Sequence, residues 1–199
     1  MSTLDDTLAA IEAGPKGPKI GAFFDFDGTL IDGYSALAYF QDRLRRGEIG
    51  VRELVETIQL MRRGQLSGGE FRDVIADVMA SWSGRSEAEV GAMWQRLYQQ
   101  KIAKLQFPEG WKLVQAHRRQ GHTVAIASSA TPFQIEPLAK EYGVEHILAS
   151  RPRMRDGKIT GGLLGKPLWG SGKAAAVRAF AQTHGIALDR SYGYANGNE

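Results

Sequence analysis

Residues 22 to 30 read Ala-Phe-Phe-Asp-Phe-Asp-Gly-Thr-Leu, and they constrain the fold more than any other stretch of the chain. An aromatic-rich apolar run favours a buried strand, and Gly28 marks where that strand breaks. Asp25 and Asp27 are two residues apart, so strand alternation directs both to the same side. In an open α/β sheet the carboxyl ends of the strands face the crevice where ligands bind. Two carboxylates there suit a hard cation, and one of them can also serve as a nucleophile. The plainer alternative is that Asp25 caps the next turn and Asp27 begins it.

The rest of the chain divides into two textures. Residues 3–13 read as a short helix, closed by Gly14-Pro15-Lys16-Gly17-Pro18. Residues 20–26 read as the first strand. Residues 33–106 then show almost no strand signal. Within them, segments 34–46, 51–63, 69–80 and 86–105 carry helical spacing, such as Leu54, Ile58 and Met61, or Val90, Met93, Trp94, Leu97 and Tyr98. Gly47, Gly64 and Gly84 punctuate them. The Met and Trp stripe is expected to pack as core rather than to form a binding box.

Past Phe107-Pro108 strands and helices alternate. Helices are expected over 109–119, 133–142 and 171–184, and strands over 123–127, 146–149 and 191–195. A hairpin over 151–163 turns at Asp156-Gly157, a pair suited to a two-residue turn. Alternation of this kind implies an α/β fold, with a mainly parallel sheet covered on both faces.

Composition removes several classes of function. The 199 residues are 43% hydrophobic, enough for one domain with a generous core or a core plus a small accessory domain. Cysteine is absent, which excludes disulfides and thiolate metal sites. His117, His122, His146 and His184 lie apart without metal-ligand spacing and are expected at surfaces or helix ends. Net charge is only +3, so the arginine clusters at 43–46, 62–63, 118–119 and 151–155 read as solvated faces rather than a nucleic-acid surface. A modest positive field also draws phosphorylated substrates. No run approaches the roughly eighteen apolar residues of a membrane helix, and the acidic N-terminus is not a secretory signal, so a cytoplasmic chain is expected.

Two further stretches carry chemistry. The strand over 123–127 ends in Ser128-Ser129-Ala130, offering hydroxyl and backbone N–H groups to an anion; plain turn residues are the alternative. Lys173 opens a helix within Trp169-Gly170-Ser171-Gly172-Lys173, where a cation opposes the helix dipole and calls for an anion. The full phosphate-loop pattern fails, because Ala174 stands where Ser or Thr is needed. Lys166, in a Gly-Lys-Pro turn, is expected to be solvated.

Taken in order, these stretches resemble the motifs of the haloacid dehalogenase superfamily, and most nearly its subfamily IB, the phosphoserine phosphatase-like branch. The resemblance covers nearly the whole chain. It implies a Rossmann-like core over residues 1–32 and 107–199, with a helical cap over 33–106 inserted after the first strand. It makes Asp25 the nucleophile that forms an aspartyl-phosphate and Asp27 the general acid/base. It places Gly28, Thr29 and Ser128 on the phosphoryl group, with Ser129 as the alternative to Ser128, and gives Lys173 the steadying of nucleophile and phosphoryl charge. It also implies Mg2+ at Asp25, Asp27 and the fourth-motif turn, and a phosphorylated small molecule as substrate.

The sequence departs from that pattern at its end. Aligned on the last strand, Asn196 takes the place of the first Asp of the fourth motif, and the second Asp position falls past Glu199. An Asn offers a neutral carbonyl in place of a carboxylate. The chain therefore reads as one portion of a longer polypeptide, and some members of the subfamily carry a fused acyltransferase. Tyr34 stands where phosphoserine phosphatases carry a Glu, which argues against phosphoserine. The expectation is a Mg2+-dependent phosphatase of phosphate monoesters. The alternative is a non-catalytic domain of the same fold that binds phosphate or a partner.

Overall fold

A computed structural model describes residues 3–62 and 68–197. Of the expectations above, those on Arg63, Gly64 and the side chains of Leu54 and Met61 lie outside the described residues. Helix α1 (Leu4–Ala13) starts on a capping box between Thr3 and Asp6. Strand β1 (Gly21–Phe24) follows, buried on both faces, as its unbroken apolar run requires. Helices α2 (Ser35–Arg45), α3 (Val51–Arg62), α4 (Gly68–Ser81) and α5 (Glu87–Gln100) come next, then a 3₁₀ turn over Ile102–Leu105. None of them contributes to the main sheet.

The α/β half comprises α6 (Pro108–Arg119), β2 (Thr123–Ala127), α7 (Pro132–Tyr142), β3 (His146–Leu148), β4 (Pro152–Arg155), β5 (Lys158–Leu163), α8 (Ser171–His184) and β6 (Tyr192–Tyr194). The sheet runs β3-β2-β1-β6, and every pair is parallel. Proline at the first turn starts α6 and α7, and left-handed glycines, Gly143 and Gly185, end α7 and α8. The β4–β5 hairpin turns through Asp156 and Gly157, both at positive φ (49° and 73°), the backbone of a primed turn.

One hydrophobic core runs from β1 and β2 into the inserted helices. Tyr39, Trp82 and Trp94 pack ring on ring at its centre, and Trp82 meets Phe133 of α7 edge-on at 6.1 Å. The Met93 and Trp94 stripe is thus core, as its spacing indicated. The hairpin packs on α4, and Gly84 and Arg85 exchange backbone hydrogen bonds with Ile159. Nothing in its sequence signalled that contact. Arg151, Arg153 and Arg155 are exposed along the hairpin, and Arg46 pairs with Asp42 at 3.1 Å.

His184 is exposed in the last turn of α8, as expected, but His117 and His122 depart from the surface expectation. His117 is fully buried and His122 nearly so, and their Nδ1 atoms lie 2.8 Å apart. His122 Nε2 reaches the Pro15 carbonyl at 2.7 Å, and His117 Nε2 lies 2.8 Å from the Tyr194 hydroxyl. A carbonyl only accepts, so His122 Nε2 carries a hydrogen and its Nδ1 accepts. His117 Nδ1–H therefore donates to His122, and Tyr194 O–H donates to His117 Nε2. Tertiary packing has turned two helix-end residues into a buried, fully paired chain.

Candidate active site

Strand β1 is shorter than its apolar run suggested. It ends at Phe24, so Asp25 and Asp27 stand just past the carboxyl end rather than on the strand. The ladder persists one residue further through a bond from Asp25 N–H to the Tyr194 carbonyl, 2.9 Å. The orientation of Asp27 comes from the turn that follows, not from strand alternation. Gly28 takes φ 74°, and its N–H is committed to the Gly33 carbonyl at 3.0 Å, closing the turn.

Asp25 is 8% exposed, and its Oδ1 is held twice. It accepts the Phe26 N–H at 2.7 Å and lies 3.1 Å from Lys173 Nζ, itself 8% exposed. The cation that the helix N-terminus leaves uncompensated thus finds its anion 148 positions earlier in the chain. Both oxygens of Asp27 meet Ser35, the first residue of α2: its N–H donates to Oδ1 at 2.7 Å, and its hydroxyl lies 3.3 Å from Oδ2. Burial pushes the Asp27 carboxyl up to about 7, and the neighbouring Asp25 charge adds to the rise. The Ser35 hydrogen bonds and Lys173 oppose it.

Ser128 is the first residue beyond β2 and is buried. Its N–H donates to the Leu148 carbonyl at 2.9 Å, and its Oγ accepts from Ala130 N–H at 3.3 Å. The hydroxyl hydrogen of Ser128 remains available to an anion. Ser129 is half-buried, and its N–H makes no hydrogen bond among the described residues. The Thr29 hydroxyl is buried without a partner there. A buried hydroxyl of this kind is costly unless a ligand or water completes it.

Asn196 lies against the turn after β1. A side chain at Gly28 would put its Cβ 2.2 Å from Asn196 Nδ2, so the bare glycine is what lets Asn196 approach. The strand β6 divides the site residues between two open clefts. Asp25 and Lys173 line one of about 470 Å³, and Gly28, Thr29 and Asn196 line another of about 450 Å³. Asp25, Asp27 and Asn196 are an all-oxygen donor set that suits a hard divalent cation such as Mg2+. No group of three or more His, Cys, Asp and Glu that could hold a metal ion gathers among the described residues. Ser35, which holds Asp27, and Gln134, which bonds Ser35, went unnoticed in the sequence. They are 99 residues apart, and no short motif joins them.

A buried Asp–Lys pair beside a second carboxyl whose pKa burial raises, at the mouth of a parallel sheet, is a hydrolase-like arrangement, and comparison with known proteins agrees. The family model for haloacid dehalogenase-like hydrolases matches residues 22–199. The chain belongs to that family. A phosphoserine phosphatase of Mycobacterium tuberculosis is 32% identical over 88% of this chain and 58% of its own length. A probable phosphatase of the same organism is 27% identical over 98% of this chain and 71% of its own. Within the family, the chain is an enzyme of the phosphatase kind. Among solved structures, a Bordetella pertussis protein of unknown function superposes with TM-score 0.74 at 24% identity, covering 87% of this chain and 81% of that one. A substrate-bound phosphoserine phosphatase superposes with TM-score 0.62 at 19% identity, covering 89% and 78%. Likeness at that identity shows the fold alone. Among the described residues, no helix is long and apolar enough to cross a membrane.

Proposed function

We propose that the protein hydrolyses a small phosphate monoester in two steps through an aspartyl-phosphate on Asp25. The observation that supports this most is the asymmetric tether of Asp25. Lys173 and the Phe26 N–H both hold Oδ1, which leaves Oδ2 to attack phosphorus. Asp27, with a carboxyl pushed up to about 7, exchanges its proton near neutral pH and in its protonated form can give it to the leaving oxygen. The same carboxylate, once deprotonated, can draw a proton from the water that cleaves the intermediate. Lys173, the Ser128 hydroxyl and the Ser129 N–H supply positive charge and donors to the phosphoryl oxygens. A bound Mg2+, held by Asp25, the main-chain carbonyl of Asp27 and Asn196, would neutralise phosphoryl charge. Residues 33–106 serve as a cap that selects the leaving group. Tyr34, at its entry, is exposed and brings no carboxylate for a substrate amino group, which supports a monoester other than phosphoserine.

The neutral Asn196 favours a second reading, in which the fold binds phosphate without turning it over. One assay separates them. Phosphate release from a panel of aryl and alkyl phosphates is measured with Mg2+, for the parent and for Asp25→Asn. Catalysis requires turnover by the parent and none by the variant. A parent that releases no phosphate from any ester leaves the binding reading standing.

A further inference from the structure

Beyond the residues that touch substrate, a buried amide lies two hydrogen bonds from the proposed acid/base. Gln134 sits in the first turn of α7, 6% exposed, and Ser35 is fully buried. Thr131 N–H can only donate, so the atom facing it at 2.9 Å is Gln134 Oε1, which also takes the Thr131 hydroxyl at 2.8 Å. The other end of the amide, Nε2, is then a donor, and it meets Ser35 Oγ at 2.8 Å. With its oxygen accepting there, the Ser35 hydroxyl turns its hydrogen toward Asp27 Oδ2. The chain runs one way: Gln134 N–H to Ser35 O–H to Asp27.

We propose that Gln134 is a positioning residue for proton transfer, acting through Ser35 to fix the Asp27 carboxyl between the first inserted helix and the loop after β2. Capping explains only half of Gln134. The bonds with Thr131 form the capping box of α7, and they use Oε1 alone. The Nε2 donor is surplus to that role, and its acceptor belongs to the inserted segment. Ser35 in turn supplies the N–H and hydroxyl that aim both Asp27 oxygens. The inference rests on Asp27 acting as the acid in the proposed function.

The test turns on leaving groups. Protonation matters for a poor leaving group such as an alkoxide and little for 4-nitrophenolate. Gln134→Glu keeps an oxygen for the capping box but removes the donor. Ser35→Ala keeps the N–H to Asp27 but cuts the chain. Each is compared with the parent by kcat/KM, which reports steps up to leaving-group departure, on an alkyl phosphate and on 4-nitrophenyl phosphate with Mg2+. Both variants are expected to lose on the order of tenfold or more on the alkyl ester and about twofold or less on the aryl ester. The double variant should lose no more than either single one, because both break one chain. Ser35→Thr, which retains the hydroxyl, should restore the parent ratio. Equal losses on the two esters, or an unchanged alkyl rate in folded Gln134→Glu, would overturn the proposal. Failure of the underlying reading shows separately: Asp25→Asn would then keep its turnover on both esters.

Discussion

Lys173 is what makes Asp25 tolerable inside the protein. Each is 8% exposed, and the two charged groups meet at 3.1 Å. Removing one member of a buried pair strands the other, which costs more than the pair contributes. Lys173→Met is therefore expected to lower unfolding stability at neutral pH by about 3 kcal/mol, measured by urea denaturation. Adding Asp25→Asn should restore most of that loss, since an amide needs no counter-charge. Strictly additive losses would show that the pair is not coupled in the folded state. Asp25→Asn alone removes the counter-charge of buried Lys173, so it should also lose stability while remaining folded, and it should show no turnover. Asp27→Asn keeps the nucleophile and loses the proton carrier, a contribution of about 10²–10⁴-fold, most visible on alkyl esters.

At the scale of elements, the His117 chain ties α6 to β6 and to the linker after α1. Burial lowers the His117 imidazole to about 4, and the adjacent His122 adds to the shift; Tyr192 and Tyr194 are the other titratable groups packed on it. Below pH 6.5 the unfolded chain takes up a proton that the folded imidazole refuses until about pH 4. The stability linked to this group is thus whole above pH 6.5 and is lost as pH falls toward 4, a loss of roughly 2–3 kcal/mol. His117→Phe should be less stable at neutral pH, because it takes the His117 partner away from the Tyr194 hydroxyl and from His122 Nδ1. Its melting temperature should nonetheless fall less than the parent's between pH 6.5 and 4.5. Parallel pH profiles for the two proteins would assign the acid limb to other groups. This chain was invisible in the sequence for the same reason as the link from Gln134 to Ser35. Both join residues from separate elements, and only packing decides that they meet. What was legible is local. Periodicity placed the helices, Asp156-Gly157 placed the hairpin turn, and the carboxylates after an apolar strand pointed to the candidate site. The end of β1 was misjudged because Asp25 continues the ladder by one bond while the strand itself has stopped.

In the whole molecule, more than the two connecting segments ties the inserted helices to the α/β half: among the described residues α5 packs on α7, Trp82 meets Phe133, and Gln134 bonds Ser35. The two connecting segments pair with each other: Asp32 N–H donates to the Leu105 carbonyl at 2.7 Å, and Phe107 N–H to the Leu30 carbonyl at 3.0 Å. A further tie is the β4–β5 hairpin, which leaves the α/β half of the chain to pack on α4. Gly161, at φ 85°, sits where an added Cβ would touch Ser83 at 3.4 Å, and Ile159 is buried in the common core. Inserted helices held only by two connecting segments could swing freely. Helices clasped by a hairpin must open against that contact or carry the hairpin with them. Ile159→Ala leaves the backbone bonds to Gly84 and Arg85 in place but empties the packing beneath them. The substitution should cost about 2–4 kcal/mol. If the hairpin is a clasp, amide exchange should speed up together in residues 152–163 and in residues 78–86, while the strands of the main sheet stay protected. Exchange that rises in the hairpin alone would mean that the inserted helices hold their place without it.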